Sequence, residues 1–231
     1  MKKLHLMLIL VFIAGITGIF AQADMQESFA MIKKNLTDSK EKIKKYEWVE
    51  TITTFVNGEQ KSVKQNQCYY GVDGKFTKIE TGGSTPAKTP GGLRGKIAAN
   101  KKEEMTDYIE KATIKVQTYL PPDAEKIQHI YDTGKTAIQI LEPGKKFRFS
   151  FPDYNDQGDM LSISIDKENQ KIIEMAVNTF IDDPGQKVVF NITYNNLPDG
   201  TQYAGSTTLD VQAKNLKIVI KNSGFKKAAG Q

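Results

Sequence analysis

Cysteine, histidine and arginine are all scarce in this sequence of 231 residues, and each scarcity excludes a kind of site. Cys68 is the single cysteine, so the chain forms no internal disulfide bond. After residue 23 the only histidine is His129, which excludes histidine-rich zinc sites and a histidine-based triad. No HExxH or CxxC motif occurs either. We therefore expect neither a metal ion nor another cofactor.

Arg94 and Arg148 are the only arginines, which is too few for a typical nucleic-acid-binding surface. Arginine is the preferred residue for contacting phosphates and base edges. The lysines occur as singles and doublets, and the formal net charge is a modest +5. No glycine-rich loop joins a predicted strand to a helix in the way that phosphate binding requires. We expect no nucleic-acid partner.

The first 23 residues have the order of a secretory signal peptide. Lys2 and Lys3 precede an uncharged, mostly apolar run from Leu6 to Phe20, which is short for a membrane span. Ala21 and Ala23 then supply the small residues that a signal peptidase needs. We predict cleavage near Ala23, leaving a single domain of residues 24–231 that is periplasmic or secreted and does not span a membrane. The alternative is an uncleaved anchor.

The chain after Ala23 begins as a helix and then becomes a meander of strands. Asp24 is predicted to cap the helix, whose apolar stripe is formed by Met25, Phe29, Ile32 and Leu36. Residues 46–56, 61–72 and 75–81 are predicted strands, because they are rich in β-branched and aromatic residues. Asn57-Gly58 and Asp73-Gly74 between them are typical of hairpin turns. Residues 81–96 are rich in glycine and proline, and we predict a loop there.

Residues 97–133 are predicted to form a helical insertion. The first helix has an apolar stripe sustained over four turns, made of Met105, Tyr108, Ile109, Ala112, Val116 and Tyr119. Pro121-Pro122 ends this helix and begins a second, shorter one that runs to about Gly134. Each helix therefore has one apolar side that must pack against another part of the fold.

The rest of the chain is predicted to be strands. Apolar residues alternate with polar ones in the runs around 137–141, 147–151, 161–165, 173–177, 188–194, 203–211 and 216–220. Such alternation gives each strand one apolar and one wetter face, as in an antiparallel sheet that is covered on one side. The predicted fold class is α+β: a curled antiparallel sheet forming an incomplete β-barrel, covered by about three amphipathic helices.

This order of elements resembles the periplasmic outer-membrane lipoprotein carrier family, which has the LolA-like fold. The resemblance covers essentially residues 24–231. The initial helix, the middle helices and three short segments carry it, namely 70–75, 197–201 and 213–216. It implies a half-barrel closed by a helical lid, and a non-enzymatic role in carrying acyl chains. In that family an arginine from an early strand is expected to hold the lid shut, but residues 46–72 contain no arginine.

The apolar residues of the sheet and of the first middle helix are the candidate binding site. One interpretation makes the rings of Phe147, Phe149 and Phe151 ordinary core. The other makes them the lining of an acyl-chain cavity together with Trp48, Ile52, Ile163 and Met175, with Met105, Tyr108 and Ile109 on a lid. The leading hypothesis is a lipid-binding or lipoprotein-binding carrier.

Two other functions stay open at this point. One is an envelope sensor or interaction module that uses the same fold to bind a protein partner. The other is a hydrolase built on scattered carboxylates. The acidic run of Asp153, Asp156 and Asp159 lacks the closing glutamate of a calcium-binding EF-hand loop, which favours a solvated turn over a calcium site.

Overall fold

The computed structural model describes residues 17–84 and 92–228. Within these ranges the chain forms three α-helices and ten β-strands. The helices are α1 (Thr17–Lys42), α2 (Gly92–Gln117) and α3 (Ala124–Asp132). The strands are β1 (Tyr46–Val56), β2 (Glu59–Tyr70), β3 (Phe76–Ser84), β4 (Ala137–Glu142), β5 (Lys146–Pro152), β6 (Met160–Asp166), β7 (Lys171–Phe180), β8 (Lys187–Asn196), β9 (Gln202–Val211) and β10 (Leu216–Lys227).

All ten strands belong to one antiparallel sheet. Its order is β3-β2-β1-β10-β9-β8-β7-β6-β5-β4, so the last strand returns to pair with the first. The sheet does not close into a barrel, since β3 and β4 are its two edges. The predicted curled antiparallel sheet with three covering helices is confirmed.

The meander at the start of the sheet depends on a two-residue turn between β1 and β2. Asn57 and Gly58 have φ angles of 54° and 78°. A tight hairpin turn requires positive φ at both central residues, which asparagine and glycine tolerate best. The predicted hairpin at Asn57-Gly58 is confirmed.

Helix α1 begins earlier than the sequence suggests. It starts at Thr17, so Asp24 lies inside the helix, and the predicted cap at Asp24 is wrong. No proline interrupts residues 17–24, and the backbone hydrogen bonding continues through them. The predicted signal segment before residue 17, and the side chains of Met25 and Phe29, lie outside what the structure describes.

The loop predicted at 81–96 is wrong at both ends. β3 extends to Ser84 and α2 begins at Gly92, while residues 85–91 lie outside the described ranges. Glycine is suited to this part of β3, because a Cβ atom on Gly83 would lie 2.6 Å from the backbone oxygen of Val63. Close approach of the neighbouring strand, rather than flexibility, therefore explains why glycine suits position 83.

The core lies between the concave face of the sheet and the helices. Helices α1 and α2 lie against β7 and β9, and α3 lies against β5. The alternation predicted for β7 needs one correction, since a register shift opposite Ser164 and Ile165 buries Ile172 in place of Ile173. The opposite face of β6 is also more deeply buried than predicted. Ser162 is buried beside Ser150, and Ser164 is buried beside Arg148.

Candidate functional site

Eight of the ten candidate residues lie in one cluster beneath the helices. Phe149, Phe151, Ile163 and Met175 are buried there by the packed helices. Phe147 and the three α2 residues, Met105, Tyr108 and Ile109, are partly buried against the same cluster. The concave face and the candidate lid are thus in direct contact.

The C-terminal end of α2 is firmly attached to the sheet. Ala112 and Val116 are buried, and the chain then places the ring of Tyr119 in the core. The Tyr119 hydroxyl lies 2.5 Å from a carboxylate oxygen of Asp159 and 2.8 Å from the hydroxyl of Thr179. Burial, together with the bond to Asp159, raises the pKa of Tyr119 well above its usual value. The hydroxyl therefore donates its proton to the bond with Asp159.

Asp159 also organises the turn between β5 and β6. Its carboxylate accepts hydrogen bonds from the backbone N–H groups of Tyr154, Asn155 and Asp156. Asp156 in turn forms an ion pair with Lys115 of α2 at 2.5 Å. The acidic run that resembles a calcium loop is thus occupied by bonds to the protein, and its carboxylates help to hold the end of α2.

The middle of α2 is less deeply buried than its C-terminal end. Met105, Tyr108 and Ile109 are only half-buried, and residues 100–104 are exposed. Lys214 reaches across from the turn after β9, with its Nζ atom 2.6 Å from Glu104 and 4.2 Å above the Tyr108 ring. Exposed ion pairs of this kind contribute little to stability. Over residues 100–117, helix α2 is therefore anchored at its C-terminal end and weakly clamped near its middle.

A depression of about 210 Å³ lies beside this weakly clamped part of α2. It separates α2 from the ends of β1 and β10 and is lined by Val56, Asn57, Lys101, Glu104, Met105, Ala213, Lys214 and Asn215. Lys214 pairs with Glu104 beside this depression, although it comes from the far end of the chain and no local sequence pattern indicates the contact. The early strands contain no arginine that could make it.

Trp48 and Ile52 lie outside the cluster beneath the helices. Trp48 stacks between Phe76 and Phe225, with ring centroids 5.8 Å and 5.6 Å away. Tyr70 and Tyr203 extend this second group, which we call the aromatic cluster (Trp48, Tyr70, Phe76, Tyr203 and Phe225). Ile52 is half-buried on β1 between the two groups, opposite Ile220 of β10. Sequence reasoning missed the aromatic cluster because its members come from five strands, two of which lie at the far end of the chain.

In 17–84 and 92–228, no three or more histidine, cysteine, aspartate or glutamate side chains are grouped so as to hold a metal ion. Among the helices that the structure describes, none combines the length and the apolarity that a bilayer crossing requires. What the arrangement offers is an apolar concave surface beneath a helix whose C-terminal end is attached more firmly than its middle.

An open, curled antiparallel sheet with a helical layer on its concave side defines the class of this protein. No family model and no curated protein sequence matches the chain significantly. The fold is similar to a crystal structure of a LolA superfamily protein from Nitrosomonas europaea, at a TM-score of 0.34 and 10% identity over 85% of this chain and 94% of that one. It is also similar to a DUF1329 family protein from Desulfovibrio piger, at a TM-score of 0.31 and 8% identity over 87% and 94%. Both are similarities of fold.

Proposed function

We propose that the protein is an exported, non-enzymatic binding protein that shields an acyl chain of a lipid or lipoprotein on its concave face. Helix α2 acts as the lid. The observation that carries this proposal is the unequal attachment of α2. Tyr119 fixes the C-terminal end in the core, whereas Lys214 holds Glu104, near the middle of the helix, through an exposed ion pair.

A comparison of burial free energies favours an acyl chain as the group that displaces the lid. Uncovering the half-buried Met105, Tyr108 and Ile109 costs at most about 2–3 kcal/mol for each side chain. Burying an acyl chain contributes about 0.8 kcal/mol for each methylene group. A chain of about ten or more methylene groups therefore offsets the opening of the lid.

Native mass spectrometry of the protein purified from its own compartment is the direct test. Retained acyl lipid is the expected result, and titration with a fluorescent fatty acid then measures the affinity. Ile109→Lys places a charge on the side of α2 that faces the sheet, and we expect at least tenfold weaker binding. Ile114→Lys on the same helix is the matched control, because Ile114 is 56% exposed.

A second variant separates lid opening from folding. Glu104→Lys removes the clamp to Lys214, and we expect faster uptake of the fluorescent fatty acid at nearly unchanged stability. Glu110→Lys, at an exposed position on α2, should leave the rate unchanged. No acyl binding by the parent protein, or equal rates for both variants, contradicts the proposal.

An interaction module is the second candidate, and the edge strand β4 favours it. Ile138 and Ile140 are 51% and 62% exposed, and one side of β4 has no partner strand within the sheet. Such an edge is suited to adding a strand from another protein. Co-purification of a protein without lipid, abolished by Ile140→Lys, would support this candidate instead.

A further inference from the structure

One end of the sheet brings exposed apolar side chains together with lysines. This end, which we call the basic end, comprises the β2–β3 turn (71–75), the start of β1 with the preceding residues 43–45, and the end of β10. The strand pairing places these segments side by side, since Tyr46 lies opposite Lys227 and Tyr70 lies opposite Phe76. The aromatic cluster lies directly behind them.

Val72 is the most exposed large apolar residue of the described chain. It lies in a tight turn closed by hydrogen bonds from Gly71 N to Lys75 O and from Gly74 N to Gly71 O, at 2.9 Å and 2.8 Å. Turn positions normally carry polar or small residues. A fully exposed valine here has no stabilising role within the fold, because it contacts too little of the protein to be buried.

Phe76 extends the apolar surface from the turn into β3. Its ring is 49% exposed, although it is held in place by stacking on Trp48 and contact with Tyr70. Rigid aromatic rings with one free side are typical of surfaces that bind a partner or an interface. Val72 and Phe76 thus form one protruding apolar tip at the basic end.

Lysines surround this tip. The basic end and its immediate neighbours carry five lysines and four carboxylates, namely Lys44, Lys45, Lys75, Lys226 and Lys227 against Glu41, Glu47, Asp73 and Asp199. The ion pairs Lys44–Glu41 and Lys75–Asp73 are exposed on the surface, so they are weak. The chain therefore presents a net positive charge around the apolar tip.

We infer that the basic end docks on the surface of an anionic lipid bilayer. Lysines near such a surface are attracted by anionic headgroups, and their alkyl stems lie along the apolar boundary. Val72 and Phe76 protrude, and a fluid bilayer surface can take up such side chains without a preformed pocket. A protein partner would need a preformed pocket to receive the same tip. The contact does not depend on the concave face holding a lipid, and the two sites are tested separately.

Trp48 offers a direct readout, because it is the only tryptophan of the sequence and belongs to the aromatic cluster. The protein is first purified as its cell processes it, with the N-terminus defined by intact mass. Vesicles of phosphatidylglycerol and phosphatidylcholine with brominated acyl chains are then added, and quenching of Trp48 fluorescence is measured. Docking through the basic end predicts quenching that increases with the phosphatidylglycerol fraction and decreases with salt.

Two substitutions and their matched controls locate the contact. Val72→Asp should weaken vesicle binding about tenfold, whereas Ile140→Asp at the opposite edge of the sheet should leave it unchanged. Lys226→Gln with Lys227→Gln should weaken binding roughly twentyfold, at about fivefold for each lysine. Lys101→Gln with Lys102→Gln, an exposed doublet on α2, is the control.

Each possible result of the vesicle experiment either supports or overturns docking through the basic end. Quenching that is lost in Val72→Asp and retained in Ile140→Asp supports docking through the basic end. Equal binding of all four variants, or binding that does not depend on anionic lipid, overturns it. A protein that captures a fatty acid but ignores vesicles also overturns this inference, and leaves the proposed acyl binding intact.

Discussion

The hydroxyl of Tyr119 donates a hydrogen bond of 2.5 Å to the carboxylate of Asp159, and both side chains are buried. Tyr119 lies just beyond the end of α2, and Asp159 lies in the turn between β5 and β6. The bond therefore joins the helical layer to the sheet at one point. It anchors this end of α2, which is the fixed end of the lid that we propose.

Tyr119→Phe should be among the more destabilising single-atom deletions in this protein. It removes a donor from a buried carboxylate, and hydrogen bonds to charged groups contribute about 1.5–3 kcal/mol. Tyr154→Phe is the matched control, because Tyr154 only accepts a bond from the backbone N–H of Asp123, worth about 1 kcal/mol. Urea unfolding measures both. Equal losses would show that the Tyr119–Asp159 bond does not anchor α2.

Phe151 and Phe147 should contribute differently to the stability of the fold, although they share one face of β5. Phe151 is 1% exposed, so Phe151→Ala should lower the free energy of unfolding by about 3–5 kcal/mol. Phe147 is only half-buried, so Phe147→Ala should cost clearly less. If the concave face binds an acyl chain, Phe147→Ala should reduce the free energy of acyl-chain binding more than it reduces the free energy of unfolding. Equal stability losses would place both rings in ordinary core.

The lowered pKa of the Asp199 carboxyl predicts that the protein loses stability in strong acid. The Tyr46 hydroxyl at 2.7 Å, followed by the backbone N–H of Thr201, lowers the pKa of Asp199 from its usual 3.8 to about 2. The unfolded chain therefore takes up this proton at a higher pH than the folded one. The contribution of Asp199 is complete above about pH 4 and is lost as the pH falls through about 2.

Asp199→Asn is the variant that isolates this effect. The difference in unfolding free energy between the parent and Asp199→Asn should be constant from pH 7 to about 4 and should shrink between pH 4 and 2. Chemical unfolding at a series of pH values measures it. A difference that stays constant down to pH 2 would mean that Tyr46 does not hold this carboxylate in solution.

Cys68 should resist alkylation in the folded protein. Its side chain is fully buried on β2, and burial, followed by the charge of Glu50, raises the pKa of the thiol. Since the thiolate is the reactive form, both effects slow the reaction. Labelling by iodoacetamide should be slow in buffer and complete in guanidinium chloride. Rapid labelling of the native protein would indicate that β2 opens readily at this edge of the sheet.

Much of the fold could be predicted from the sequence because its signals are local. The turn at Asn57-Gly58, the alternation of Phe147, Phe149 and Phe151, and the helical stripe that includes Met105 each depend on neighbouring residues. The errors arose where a neighbouring strand decides the structure. Gly82 and Gly83 indicate a loop when taken alone, but they pair with β2 in the sheet.

The candidate site could be predicted only in part for the same reason. The eight residues that meet beneath the helices belong to strands and a helix with clear apolar patterns. Trp48 has the same kind of pattern but packs with Phe225, a residue 177 positions later in the chain. Its partner is decided by the pairing of β1 with β10, which no pattern within either strand specifies.

The sequence by itself determined most of the strand and helix segments and which side of each is apolar. Those properties follow from backbone preferences and from the spacing of side chains. Only the tertiary structure decided that Tyr119 meets Asp159, that Lys214 clamps Glu104, and that lysines from three separate segments lie at the same end of the sheet as Val72. Contacts of this kind depend on strand order and register, which arise when distant apolar faces are buried together.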